Sequence, residues 1–162
     1  MKRKIYITLL GLLSTIMTAA VPYCDVRKFS ITDGLAANTI SDLKQGKDNL
    51  MWFSTWNGLS FYDGYKFHTF RDNPDDIDVL STNRILKIEP SYHNNVWCIT
   101  YDHKLYVYDT HFCQFFAVGQ KFNELFNIDL RVSQVYPMKN GATWFTSENG
   151  KYIIRSTGKT FD

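Results

Sequence analysis

An all-β fold of repeated four-stranded antiparallel units is what this sequence predicts, and three observations carry the prediction. The first is a tryptophan that recurs at Trp52, Trp97 and Trp144, at intervals of 45 and 47 residues. Each stands in a similar phrase: Met51-Trp52-Phe53-Ser54-Thr55, Val96-Trp97-Cys98-Ile99-Thr100 and Thr143-Trp144-Phe145-Thr146-Ser147. The second is the residue three positions before each Trp, which is Asn49, Asn94 and Gly141. Asn and Gly enter left-handed backbone most easily, and a tight turn between two strands needs one such residue. The third is an aromatic content of 16%, from 12 Phe, 10 Tyr and 4 Trp. Such side chains suit half-buried pleated surfaces. A period of roughly 40–50 residues built from short strands indicates a propeller blade. One blade cannot bury both of its faces, so blades fold as a set. Three recurring Trp give about three blades, fewer than the roughly four to eight of a closed ring. The predicted architecture is therefore a partial β-propeller of about three four-stranded antiparallel blades, behind an N-terminal signal peptide.

Residues 1–20 form that signal. Met1-Lys2-Arg3-Lys4 is a basic start, Ile5 to Ala20 is mostly apolar, and Thr18-Ala19-Ala20 offers small residues for cleavage. The apolar run is shorter than the roughly 20 residues of a membrane anchor, and Tyr23 before Cys24 is too large for a lipoprotein site. Residues 21–37 are a lead segment in which Phe29-Ser30-Ile31 alternates like a first strand and Asp33-Gly34 turns.

Blade 1 spans 38–80, with strands at 39–43, 51–55, 59–62 and 66–70. Asn57-Gly58 joins its middle strands as a two-residue hairpin, because both residues tolerate positive φ. Blade 2 spans 81–120, with strands at 84–88, 96–100, 105–108 and 112–118, and a longer central hairpin at Asp102-His103-Lys104. Blade 3 spans 121–162, with strands at 132–136, 143–147 and 152–155 and a last strand from Lys159; Asn149-Gly150 repeats the hairpin of blade 1. Phe122 to Phe126 reads as one helical turn. The acidic stretch Arg71 to Asp78 reads as a solvated loop, since it lacks the order of a calcium-binding loop.

Charge argues against nucleic acid as a partner. The whole chain carries +2, and without Lys2, Arg3 and Lys4 its 15 basic and 16 acidic residues leave −1. No basic stripe is present. Cys98 and Cys113 fall on the second and fourth strands of one blade. Neighbouring strands lie about 4.8 Å apart, so these two sit too far apart for a disulfide. All three Cys, with Cys24, read as small buried hydrophobes.

The run Phe29-Ser30-Ile31-Thr32-Asp33-Gly34-Leu35, Asn38-Thr39-Ile40, Met51 to Thr55 and Asn57-Gly58-Leu59-Ser60-Phe61-Tyr62-Asp63-Gly64 resembles a known family. It is similar to the start of the periplasmic sensor region of hybrid two-component sensors built from regulator propeller repeats. That family opens D-G-L-x-x-N-x-V, and its blade reads G-x-x-W-F-G-T-x-x-G-L-x-x-Y-D-G. The match is specific in the first blade and diluted in the next two; Ser54, Ile99 and Thr146 replace the Gly after Trp-Phe. The resemblance implies a periplasmic, non-catalytic region that senses breakdown products of polysaccharides and passes a signal across the membrane. It also implies a kinase, a receiver and a membrane span, whose motifs this chain lacks. The chain is thus expected to be an N-terminal fragment of such a sensor. The alternatives are a freestanding exported binding or interaction module and, weakest, a propeller glycosidase or lyase.

No nucleophile elbow, phosphate loop or zinc spacing is present, so no catalytic residue, metal ligand or cofactor is assigned. The four His fall on different elements. The ligand candidates come from strand alternation, which brings the hairpins after each Trp strand to one rim. They carry Trp56, Tyr101 and Glu148, each four residues after its Trp, followed by Asn149. The two aromatics stack on sugar rings, with Glu148 and Asn149 supplying hydrogen bonds. The competing role for both aromatics is to cap blade ends. The expected partners are an oligosaccharide and other copies of the chain covering open blade faces, with no membrane span once the signal is removed.

Overall fold

A computed structural model describes residues 24–71, 80–93 and 95–157. The signal segment, the acidic stretch from Asp72, Asn94 and the last strand from Lys159 lie outside the described residues. Among the described residues, eleven strands form three antiparallel sheets. The first holds β1 (Ile40–Gln45), β2 (Met51–Thr55), β3 (Gly58–Tyr62) and β4 (Phe67–Phe70) in that order. The second holds β5 (Ile85–Pro90), β6 (Asn95–Thr100), β7 (Leu105–Asp109) and β8 (Gln114–Ala117). The third holds β9 (Val132–Pro137), β10 (Thr143–Ser147) and β11 (Ile153–Ser156). This is a partial β-propeller.

The three sheets share one register. Trp52 pairs with Lys44 and Phe61, Trp97 with Glu89 and Val107, and Trp144 with Tyr136 and Arg155. Each inner strand also skips a residue at the same place: Ser41, Leu86 and Ser133 have no partner on the second strand. Such a bulge raises the local twist, and the sequence pattern carries no sign of it.

Period-2 alternation sends each Trp to one face of its sheet and the next residue to the other. Trp52 faces the second sheet and is buried with Ile88, Val96, Cys98, Tyr106 and Tyr108. On the opposite face of the second sheet, Trp97 packs edge-on to Phe145 at 5.0 Å. Trp144 faces away from the second sheet and is 37% exposed, against 1% for Trp52.

Four local expectations are corrected. Phe29-Ser30-Ile31 is not a strand, because Ile31–Asp33 forms a 3-10 turn. Ser30 and Asp33 cap each other there, and the Asn38 side chain accepts the Ile31 N–H at 2.9 Å. These side-chain bonds outcompete a ladder. The lead then packs on the outer face of the first sheet, where Phe29 meets Tyr62 and Phe67 and Leu35 and Ala36 are buried.

The first hairpin turns at Trp56-Asn57 rather than Asn57-Gly58, and Thr55 pairs with Gly58. Gly58 alone takes positive φ there, at 119°, and a Cβ on it would fall 2.3 Å from the Phe70 carbonyl oxygen. Thr55 Oγ1 accepts the Asn57 N–H and donates to the Gly58 carbonyl, which sets this turn.

The single helical turn is a nine-residue helix, α1 (Val118–Phe126), which takes Val118 from the expected strand. Val118 and Phe122, one helical turn apart, bury against Ile99, Leu105 and Phe145. Finally, only Cys98 is a buried hydrophobe; Cys24 and Cys113 are exposed, and all three are free thiols. Cys113 lies in the turn before β8 with φ 55°, not on a strand. Burial pushes the Cys98 thiol far above its ordinary range.

Candidate functional site

Two regions gather polar side chains. The inner strands β1, β5 and β9 line a cleft of about 400 Å³ with Asp42, Lys44, Lys87, Glu89, Gln134 and Tyr136. Most of these groups serve to bind the sheets together. Lys44 Nζ donates to Glu89 at 2.7 Å, Ile88 N–H donates to Asp42 at 3.2 Å, and Lys87 Nζ donates to the Ser133 carbonyl at 3.2 Å. Donating this hydrogen bond to Glu89 raises the Lys44 pKa above its ordinary value, working against desolvation. Tyr136 Oη donates to Gln134.

The second region is the rim formed by the hairpins after β2, β6 and β10. One backbone bond recurs there. The N–H of Trp56, Tyr101 and Glu148 donates to the carbonyl of Thr39, Arg84 and Arg131 at 3.3, 2.9 and 2.8 Å. The first two hairpins are also tied to the next sheet, through Gly58 N–H to Asn83 at 2.9 Å and Val132 N–H to His103 at 2.8 Å. His103 sustains this with φ 63°.

The four rim candidates are in different states. Trp56 is 51% and Tyr101 60% exposed. The Arg84 guanidinium lies over the Trp56 ring, 5.2 Å from its centroid, while the Arg84 carbonyl holds the Tyr101 N–H. Glu148 already accepts from Arg131 Nε at 2.7 Å and meets His103 Nε2 at 3.3 Å. Asn149 Oδ1 accepts from Ser147 Oγ at 2.8 Å and from Lys151 N–H at 3.0 Å, which closes its own turn. Beside them Asp102 is held below its ordinary carboxylate range, against desolvation, by hydrogen bonds from Thr100 and Ser81 and by Lys104.

Sequence reasoning missed the two arginines, though a signal existed. Thr39, Arg84 and Arg131 each stand 13 residues before their Trp, the position that opens the inner strand. On the opposite rim Asn49 and Gly141 take φ of 63° and 86°. Lys47 Nζ there lies 3.2 Å from the Tyr92 ring centroid. Among the described residues no group of three or more His, Cys, Asp or Glu converges as for a metal ion. No described helix is long and apolar enough to cross a membrane.

Residues 34–57 match the two component regulator propeller family. A stretch of 55 residues is 34% identical to Histidine kinase P4 of Formosa agariphila, covering 34% of this chain and 4% of that protein. The fold is shared with the extracellular domain of the putative hybrid two component system BT3049 from B. thetaiotaomicron. That similarity has a TM-score of 0.64 at 20% identity, over 84% of this chain and 19% of the other. The extracellular domain of the putative one component system BT4673 from the same organism gives 0.58 at 18% identity, over 79% and 18%. Residues 34–57 thus carry a regulator propeller repeat, and the chain shares the fold of these extracellular domains while spanning under a fifth of their length.

Proposed function

We propose that this chain is part of an exported, periplasmic sensor propeller that binds oligosaccharide without catalysis. The observation that carries the reading is the pair of exposed rim aromatics, Trp56 and Tyr101, held on adjacent hairpins by the same backbone bond. Flat aromatic faces stack on the apolar faces of sugar rings, and the rigid rings lose little entropy on binding. Glu148 and Asn149 contribute mainly by shaping the hairpin, since their acceptor atoms are occupied. The matched family and the solved domains support a sensor role. Titration calorimetry with a panel of oligosaccharides tests it. Trp56→Ala is expected to weaken binding at least tenfold while the thermal midpoint stays unchanged. Equal binding by the variant would remove the rim from the reading.

A second reading rests on the outer face of the third sheet, where Tyr136, Trp144 and Ile153 are 46%, 37% and 71% exposed. A second copy of the chain covers this face in that reading. Sedimentation velocity that finds only monomer across a wide concentration range would sink it.

A further inference from the structure

The rim repeats one arrangement twice with different partners, and the difference points to the kind of ligand. At the third sheet, Arg131 opens the inner strand, its carbonyl accepts the Glu148 N–H, and its guanidinium binds the Glu148 carboxylate at 2.7 Å. At the second sheet, Arg84 occupies the same position and its carbonyl accepts the Tyr101 N–H at 2.9 Å. Tyr101 stands where Glu148 stands, so that position offers Arg84 no carboxylate. Among the described residues Arg84 forms no ion pair. Its guanidinium instead lies over Trp56. The acid of that hairpin, Asp102, is committed to Thr100 at 2.6 Å, Ser81 at 2.8 Å and Lys104 at 3.5 Å.

Resting on the oligosaccharide reading above, we propose that Arg84 makes this rim selective for acidic sugars, uronate residues whose carboxylate takes the place that Glu148 fills on Arg131. Stacking against an indole holds a guanidinium plane in a fixed orientation. A planar guanidinium meets a planar carboxylate through two parallel hydrogen bonds, a match that a neutral hydroxymethyl group cannot make. A uronate ring resting on Trp56 or Tyr101 presents such a carboxylate at its edge. Lys104 and Asp102 lie 3.5 Å apart and offset one another, which leaves the Arg84 charge uncancelled by that pair.

The test is calorimetry on the full chain with uronate oligosaccharides of three or four types and their methyl esters, which keep the ring and lose the charge. The acids are expected to bind about tenfold tighter than their esters, the scale of one charge-assisted hydrogen bond. Added salt narrows that margin. Arg84→Gln abolishes the preference and leaves the thermal midpoint in place, and Arg84→Lys keeps only part of it, because an ammonium lacks the fork. Acids and esters binding equally, with both lost in Trp56→Ala, overturns the acidic-sugar proposal and leaves the oligosaccharide reading standing. Acid preference that survives Arg84→Gln also overturns it. No binding of any acid, ester or neutral oligosaccharide removes both.

Discussion

The boundary between the first and second sheets and that between the second and third solve one problem differently. Each must cover the Trp-bearing face of the preceding sheet. At the first boundary the sheets meet directly. Trp52 is 1% exposed, with its ring 5.0 Å from Phe61 and 6.0 Å from Tyr108. At the second, Trp97 stays half-buried, and helix α1 adds Val118 and Phe122 to the packing around Phe145. Polar ties differ as well. Lys44–Glu89 crosses the first boundary as an ion pair, whereas Lys87 crosses the second to a backbone carbonyl. A repeated sequence phrase therefore does not repeat its energetics; what lies opposite each Trp sets them.

The sharpest way to break this comparison is truncation of the Trp series. Trp52→Ala is expected to cost about 3–5 kcal/mol, the usual range for a fully buried large aromatic. Trp97→Ala should cost less, about 1–3 kcal/mol, and Trp144→Ala under about 1 kcal/mol, because little packing is lost. Urea midpoints of the three variants check the ordering, and equal losses would refute the unequal boundaries. Phe122→Ala follows at about 3 kcal/mol, showing whether α1 carries the second boundary.

Smaller effects separate the hairpins. Gly58→Ala should destabilise by about 1–3 kcal/mol, since φ of 119° and the Phe70 carbonyl both oppose a Cβ. Gly150 has φ 69° and open space around it, so Gly150→Ala should cost only about 1 kcal/mol. Thermal unfolding of the pair measures the difference.

The smallest expected effect is acid sensitivity in the turn after β3. Asp63 accepts from Lys66 N–H, His68 and Tyr65 N–H, which hold its carboxyl well below the ordinary 3.8. The equivalent Asp109, at the end of β7, accepts from two backbone N–H groups, of His111 and Phe112. A lowered folded pKa gives stability that is present above the unfolded value and lost as pH falls through the folded one. Asp63→Asn should therefore destabilise near neutrality, with the gap to the parent protein closing as pH drops below the ordinary carboxylate value. Denaturant midpoints across that acid range check it.

Much of the fold was legible because strand alternation is local. Met51–Thr55 and Thr143–Ser147 were placed residue for residue, since the Trp phrase recurs with a turn-forming residue three positions before it. The 3-10 turn at Ile31 was not, because Ser30, Asp33 and Asn38 decide it through side-chain bonds that mimic no periodicity. Nor was α1, whose nine residues are held by burial of Val118 and Phe122 against other strands. At the rim, Trp56 and Tyr101 were found by their offset from Trp, while Arg84 and Arg131 were passed over. A lone arginine before a strand carries no pattern until the facing residue is known.

By itself the sequence determined that a Trp would occupy the same register in all three sheets, because pleating and pairing are properties of neighbouring residues. Only the tertiary structure decided what each Trp, and each rim arginine, meets. Exposure of 1% for Trp52 and 37% for Trp144, and a carboxylate on Arg131 against an indole under Arg84, depend on which chain segment lies opposite. Burial and ion pairing are set by contacts across tens of residues of sequence, and no local phrase encodes them.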